Sequence, residues 1–419
     1  MSGNRLLTRS DLVGTAWMWA AKVFLVFGLF SLITACGSSF KVPSPVDPGP
    51  LRGRAVSNGE NNIRVSAAIP HLDESKSIFG VDMGRHGVQP LWLEIENASE
   101  RRVVFLPTGL DPEYFAPLEV AFLFKDQLSD EGHTSLADHI QSLSLDSRRS
   151  ISPGETVSGY VYLNQAEPTM IVNIDLIGQK WSQRIGLLVP VPGTEAAQKR
   201  IDALQQLYAA KDFVEIENEA MLRKALERLP CCTTSSTGTD QGPPLNLAFI
   251  GDLEALGPTF VRRGFRYKPV SAEYAFGRLQ DFSGQKISRW IAPQPHTIRI
   301  WLAPLRYRGK PVWVGQVSTR LGGRFAAEPG DGTAPVIEPN LDEARNDLIQ
   351  DMFYAQSLVK IGFVKAMDKV PASKPRKTTS GSSYHTDGLR AVLMFAGENI
   401  GLSGIKFFDW ERLSDYRRQ

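Results

Sequence analysis

The chain reads as α+β overall, an N-terminal all-β sandwich followed by an α+β domain with a mostly antiparallel sheet. Two observations predict this. Between residues 56 and 192, apolar residues recur at every second position in short runs separated by Pro, Gly and Asn, which is the period of half-buried strands. From residue 193 onward, helical spacing appears and is interleaved with further strand-like runs, the pattern of helices packed on a sheet. A length of 419 residues allows two or three domains. Hydrophobic content of 42% and charge of 22% are ordinary for a globular protein. A net charge of +2 provides no basic surplus for a nucleic-acid partner.

Residues 1–35 stand apart. Arg5 and Arg9 precede an apolar region, and Lys22 leads into Val23–Leu32 and then Ile33-Thr34-Ala35-Cys36. The apolar core is short for a spanning helix, which needs ~20 residues, and small residues follow it, the order of a secretory signal. The last four residues resemble the bacterial lipobox. That resemblance implies cleavage after Ala35 and acylation of Cys36, with a further acyl chain on the new amino terminus. Each buried CH₂ contributes ~0.8 kcal/mol, so two or more chains anchor a protein stably. The alternative is an uncleaved helix over residues 16–35 with Cys36 a bystander. Met18 would make a more usual start than Met1. Gly37 stands where an Asp would favour inner-membrane retention, so the expected location is the cell envelope, lipid-anchored and facing the periplasm, on the outer membrane in preference to the inner.

The segment 36–55 carries Pro43, Pro45, Pro48 and Pro50 and reads as a tether. At ~3.1 Å per residue it reaches roughly 50 Å. The sandwich, 56–192, is drawn from Ile63/Val65/Ala67/Ile69, Leu91/Leu93/Ile95, 103–106, 118–124, 157–163, Met170/Val172/Ile174/Leu176 and Ile185/Leu187/Val189. One helical interlude carries Leu136, Ile140 and Leu143. A helical connector follows over 193–214, where Thr194 caps a helix with Ile201, Leu204, Leu207 and Tyr208 on one face.

The C-terminal α+β domain spans 215–400, with a tail at 401–419. Met221, Leu222, Ala225, Leu226 and Leu229 form a helix that Pro230 stops. Strands are predicted at 245–250, 297–304, 312–319, 358–365 and 390–395, and a helix at 252–263. A second helix is capped by Asn340, with Glu343 completing a capping box and Leu341, Ala344, Leu348 and Met352 on its buried side. The stretch KVPASKPRKTTSGSS reads as polar and mobile.

Several blocks of this domain resemble one family. PLNLAFIGDLEAL, YAFGRLQDFSGQK, IRIWLAPLRYRGKPVWVGQVS, LDEARNDLIQDM and YHTDGLRAVL are similar, in that order, to the LssY C-terminal domain family over about 215–397, and ALERLPCCTT resembles its approach segment. The family takes its name from a component linked to type I secretion, and some members join the domain to membrane domains. The resemblance therefore implies membrane-proximal work in the envelope. It supplies no catalytic mechanism.

Signatures of common enzymes are missing. None of the six histidines, His71, His86, His133, His139, His296 and His385, forms the paired helix motif of a zinc protease. There is no Cys-x-x-Cys, no Walker glycine loop and no Gly-x-Ser-x-Gly elbow. No metal and no cofactor are expected. Three constellations remain. On the predicted hairpin, Arg299, Trp301, Arg306, Tyr307, Trp313 and Gln316 offer cations and aromatic platforms for a sugar, phosphate head group or peptide, provided that face is uncovered; otherwise the tryptophans are core. His385 and Asp387, two apart before the last strand, have acid–base chemistry. The family, however, keeps the Thr-Asp-Gly and carries an apolar or aromatic residue in place of His385, which leaves Asp387 as a turn residue. Asp347 and Asp351 lie one helical turn apart and would need a third ligand, such as Asp387 or Asp281, to hold a metal.

Cys231 and Cys232 are adjacent and follow Pro230. In an oxidising compartment they form a vicinal disulfide, stay as paired thiols, or bridge to a second molecule. The expected function is a membrane-anchored envelope lipoprotein that binds or scaffolds an envelope protein, lipid head group or glycan. The alternative is a hydrolase of envelope lipid or glycan using Asp347, Asp351, His385 and Asp387.

Overall fold

The structure is a computed structural model that describes residues 38–410 apart from 112, 148, 166–168, 194–206, 268–273, 277, 280–281, 287–295, 320–336, 379–380 and 398–399. The signal segment with Ala35, the acylation candidate Cys36, most of the helix expected after Thr194, Asp281 and the last residues of the tail lie outside the described residues.

Two sheets face each other in the N-terminal half. One has the order β1 (Val56–Glu60), β2 (Ile63–Ala68), β3 (Val88–Asn97), β5 (Glu155–Asn164), and the other the order β4 (Val104–Leu106), β6 (Thr169–Gly178), β7 (Trp181–Pro190). All their pairings are antiparallel. Alternation decides the packing. Val65, Leu91, Leu93 and Ile95 from the first sheet meet Val172, Ile174, Leu176, Ile185 and Leu187 from the second in a shared core. The residues between them on the first sheet, Trp92, Tyr160 and Tyr162, point outward into a second core.

That second core is made by helices: α1 (Gly49–Gly53), α2 (Leu72–Phe79), α3 (Pro117–Phe122) and α4 (Asp130–Leu143). Phe79, Val120, Leu136 and Ile140 close over the tyrosines and Trp92. The sandwich therefore carries a helical third layer. Residues 118–124, expected as a strand, are mostly helical. Pro117 occupies the first turn, the Ala116 N–H donates to Glu119 (3.3 Å), and burial alternates at helical spacing, with Val120, Ala121 and Phe124 inside and Leu118 and Phe122 outside.

The Pro-rich segment is not an extended tether. Ser38 bridges Leu128, Phe40 packs against the helical core, and Leu51 is buried. The segment has enough apolar side chains to dock, and its prolines leave few backbone donors to satisfy in doing so.

The C-terminal half is built on a nine-stranded sheet. The strands in chain order are β8 (Val214–Ile216), β9 (Cys232–Thr234), β10 (Gln241–Pro244), β11 (Leu247–Ile250), β12 (Phe265–Tyr267), β13 (Tyr274–Ala275), β14 (Arg278–Leu279), β15 (Phe282–Lys286), β16 (His296–Tyr307), β17 (Lys310–Thr319), β18 (Leu358–Lys365), β19 (Arg376–Lys377), β20 (Ser383–Tyr384), β21 (Leu389–Phe395) and β22 (Lys406–Phe407). The large sheet runs β12-β15-β16-β17-β11-β21-β18-β22, with β8 also paired to β16. Only β11–β21, β8–β16 and β18–β22 pair parallel. The order β10-β9-β13-β14 makes a small second sheet, and β19–β20 is a two-stranded ribbon in the stretch expected to be mobile.

Helices α6 (Leu253–Arg262) and α7 (Leu341–Tyr354) cover one face of the large sheet, and α5 (Glu219–Glu227) and the small sheet cover the other. Leu341, Ala344, Leu348 and Met352 are all buried beneath α7. The structure pairs Cys231 with Cys232, and the Cys231 carbonyl accepts the Leu245 N–H at 2.7 Å, so the pair is stitched to the lead into β11.

One side chain gathers several of these pieces. Arg390 on β21 is fully buried and donates to Leu245 O (2.8 Å), Leu226 O (2.7 Å) and Pro230 O (2.6 Å). Leu226 lies in the last turn of α5, where the helix leaves acceptors unsatisfied, and Pro230 lies in the turn just beyond it. Burial pulls Arg390 down to about 10, so it remains charged at neutral pH.

The two halves meet through α6, which lies against β6 and β7. Both Nη atoms of Arg262 donate to Asp175 Oδ2 (2.6 and 2.5 Å), and Arg184 Nε donates to Asp175 Oδ1 (3.3 Å). Arg184 also reaches the carbonyl of Gln356 (3.3 Å) beyond α7.

Arg390→Met keeps an unbranched side chain of similar length but leaves three carbonyls without their charged donor. The expected loss is about 4 kcal/mol of stability, since each unsatisfied buried group costs ~1–3 kcal/mol. Urea unfolding of the variant checks this, and an unchanged midpoint would remove Arg390 from its organising role.

Candidate functional site

One end of the large sheet is polar. The start of β16, the end of β17, the first turn of α7 and residues 384–388 come together there. His385 joins the group through its backbone, donating to Pro339 O (2.9 Å) and accepting from the Leu341 N–H (3.3 Å). Asn246, 2% exposed, accepts from the Val317 N–H (3.2 Å) and donates to Leu341 O (3.3 Å), which ties β17 to α7.

The cap of α7 differs from the expected box. Asn340 Oδ1 accepts from the Asp342 N–H (3.3 Å), and the Asn340 N–H donates to Glu338 rather than to Glu343 (3.2 Å). Glu338 precedes the helix, so it satisfies the donor without reaching back a full turn.

Asp342, Arg345, Thr386 and Asp387 form a closed network. Thr386 Oγ1 and the Asp387 N–H each donate to Asp342 at 2.7 Å. Arg345 donates through both Nη atoms to the two Asp387 oxygens at 2.9 Å, and to Leu389 O at 2.9 Å. This fork-to-fork pair is the strong geometry for Arg and carboxylate. Asp387 also accepts from the Leu389 N–H (2.8 Å), which starts β21. Gly388 follows at φ +84°, where a Cβ would lie 2.5 Å from Met367 O, so the turn admits only glycine.

The two carboxylates of this network are driven apart. Burial pushes Asp387 up, but the hydrogen bonds and charge of Arg345 outweigh it and hold the carboxyl below its ordinary value. Burial dominates at Asp342 and raises it, against the pull of Arg345 and the Thr386 hydroxyl.

The four candidate catalytic residues do not converge. Asp387 is committed to Arg345. Asp351 accepts from Arg263 Nη2 (2.9 Å) at the far end of α7. Asp342 and Asp351 are separated by nine residues, about 13 Å along the helix, so Asp351 and the Asp387 network lie at opposite ends. Asp347 is half-exposed, with His296 Nε2 3.8 Å away, and His296 Nδ1 lies 2.9 Å from Thr319 Oγ1. Among the described residues no group of three or more His, Cys, Asp or Glu is placed to hold a metal ion.

The hairpin residues separate as well. Trp301 and Trp313 lie on opposite faces and both are buried; Trp301 packs under the small sheet, and Trp313 donates through Nε1 to Gly251 O (3.0 Å). Tyr307 and Gln316 are buried too. Arg306 stacks over Phe213 at 4.1 Å, and Arg299 reaches Gln316 Oε1 at 3.4 Å. The aromatic platform required an uncovered face, and α5 with the small sheet covers it. Arg299, half-buried at the polar end, stays near the surface.

Several residues that hold α7 and the sheet in place were not singled out from the sequence. Arg390 had a signal, a lone charge inside an otherwise apolar strand, which implies a buried partner. Arg345 sits three residues after Asp342 with an apolar stripe around it. Asn246 and Arg263 had no comparable signal, because their partners are distant in sequence.

The family model described as LssY C-terminus matches residues 265–389, under a third of the chain. The match begins at β12 and ends at the first residue of β21, so it includes the hairpin, α7, β18 and the Thr386-Asp387-Gly388 turn. It leaves out β11, which lies between β17 and β21 in the sheet. The folded unit therefore extends N-terminally beyond the matched stretch. No curated protein matches the chain. Among the described residues no helix is long and apolar enough to cross a membrane.

Since Asp387 is held below its ordinary value, the stability it contributes is in place above about pH 4 and is lost as pH falls through the depressed value. Asp387→Asn removes that contribution. The Tm gap between wild type and variant is expected to be widest near neutral pH and to close steadily below about pH 4. A gap that does not change with pH would show that Arg345 does not depend on the carboxylate charge.

Proposed function

We propose that the protein is a membrane-anchored lipoprotein of the cell envelope that binds or scaffolds a partner at its C-terminal domain. The observation that carries the reading is Ile33-Thr34-Ala35-Cys36 placed directly after a short apolar segment with basic residues ahead of it. Cleavage at Ala35 leaves Cys36 as the acylated first residue. The chain then faces the periplasm, with the outer membrane favoured by Gly37.

Binding is favoured over hydrolysis by how the carboxylates are used. Asp387 and Asp351 each hold a structural guanidinium, and Asp387 in addition fixes the start of a strand. A general acid or base needs a free proton-transfer position within hydrogen-bond reach of its substrate. The accessible polar groups at this end, Asp347 with His296 behind it and Arg299 nearby, suit recognition of a polar or charged partner such as an envelope protein, head group or glycan. The family match is consistent with envelope work without naming a ligand.

Intact mass of the protein extracted from membranes tests the anchor. The expected species begins at Cys36 and carries two or three acyl chains, and Cys36→Ala abolishes it. A full-length chain without acyl mass would overturn the reading and leave a protein held by an N-terminal helix.

A further inference from the structure

We propose that the face of the N-terminal domain around Ser38 and α3 lies directly on the lipid bilayer that holds Cys36. The inference rests on the anchoring reading above and adds to it which surface the membrane meets.

Ser38 is fastened to the body of the domain. Its N–H and Oγ both donate to Gln127 O (3.3 and 2.9 Å), and its carbonyl accepts the Ser129 N–H (3.2 Å). The following residues are equally close-fitting. A Cβ at Gly132 would lie 2.9 Å from the Phe40 nitrogen, and one at Gly80 would lie 2.8 Å from the Phe40 ring. A single residue, Gly37, separates Ser38 from Cys36. Consecutive Cα atoms are 3.8 Å apart, so the Cα of Cys36 lies within about 8 Å of that of Ser38. An acylated Cys36 therefore brings the lipid surface against the domain itself.

The segment that holds Ser38, through Gln127 and Ser129, follows α3 directly in the chain, and the outer side of α3 has the chemistry for this. Leu118 is 63% exposed and Phe122 62%, and they stand four residues apart on α3, opposite its buried side. Val42, four residues after Ser38, is exposed as well. Large apolar side chains of this kind embed at the head-group boundary. Lys125 lies over the Phe122 ring at 5.6 Å, placed to reach the phosphates while the ring goes deeper. Arg85, paired with Asp82 at 3.2 Å, lines the adjoining cleft together with Ser38 and Lys41. Asp82, which pairs with Arg85, and Glu119, Asp126, Asp130 and Glu131 stand in the same region, so charge does not draw this face to an anionic lipid surface. Apolar insertion, and not charge, is then the dominant attraction, and it is insensitive to salt.

The test uses the mature acylated protein in vesicles of phosphatidylethanolamine with about a quarter phosphatidylglycerol. An environment-sensitive fluorophore is attached through Phe122→Cys, and, in a second protein, through Met221→Cys on exposed α5 of the C-terminal domain. A lipid-borne quencher is expected to dim the reporter at 122 roughly twofold or more and to leave that at 221 unchanged. The difference should persist from about 50 to 500 mM salt. Equal quenching at both positions, with the mass showing an acylated Cys36, overturns the proposed face and leaves the anchor standing. Quenching at 122 that disappears at high salt overturns the apolar mechanism. If the mass shows no acylation, the anchoring reading fails, and the reporter at 122 then decides whether the face binds lipid unaided.

Discussion

The C-terminal domain depends on a charge that cannot be discharged. A guanidinium stays protonated in any protein interior, so Arg390 must have acceptors wherever it is buried. The chain supplies them as three backbone carbonyls, from the last turn of α5, from Pro230 just beyond it and from the lead into β11. These acceptors are not a carboxylate, so no second charge has to be desolvated with it. The consequence is positional. The end of α5, the turn that carries the paired cysteines and the central strands of the sheet can occupy only the arrangement in which all three carbonyls point at one side chain. A one-residue slip of β21 would move the guanidinium to the opposite face, among the apolar residues beneath α6 and α7.

Most of the secondary structure was legible from periodicity, because the inward positions of the longer sandwich strands are continuously aliphatic and each helix of the second domain buries a stripe. Leu341, Ala344, Leu348 and Met352 announced α7, and the alternation of Val172, Ile174 and Leu176 announced β6. What was not legible were features set by distant partners. Residues 118–124 are apolar enough for a strand, and contact with the tyrosine face of β5, together with Pro117 and Glu119 in the first turn, makes most of them a helix. The Pro-rich segment looked like a spacer because nothing local says that Phe40 and Leu51 have a core waiting for them.

The polar end of the sheet was legible in part. Asp387 was readable as a turn residue from Thr-Asp-Gly, and it is one. Its second task, holding Arg345, depends on α7 lying across the sheet, which no local pattern states. The tryptophans of the hairpin looked like recognition residues because alternation shows which side a residue is on and not whether that side is covered. The small sheet formed by the cysteine-bearing turn does the covering, and its strands are too short to be read from sequence.

Asp175 is shared by two guanidiniums, one from its own sheet and one from α6, in an interface that excludes most water. Burial pulls Arg184 down to about 10, and the neighbouring Arg262 adds to that while Asp175 opposes it. Separating the domains would leave Arg262 to find another partner and would strip Arg184 from the carbonyls beyond α7, leaving it with Asp175 on its own sheet. A hinge motion at this joint would have to break these bonds first. Through Arg262 and the contacts of α6, the route by which a load on the C-terminal sheet would reach the sandwich is β6 and β7.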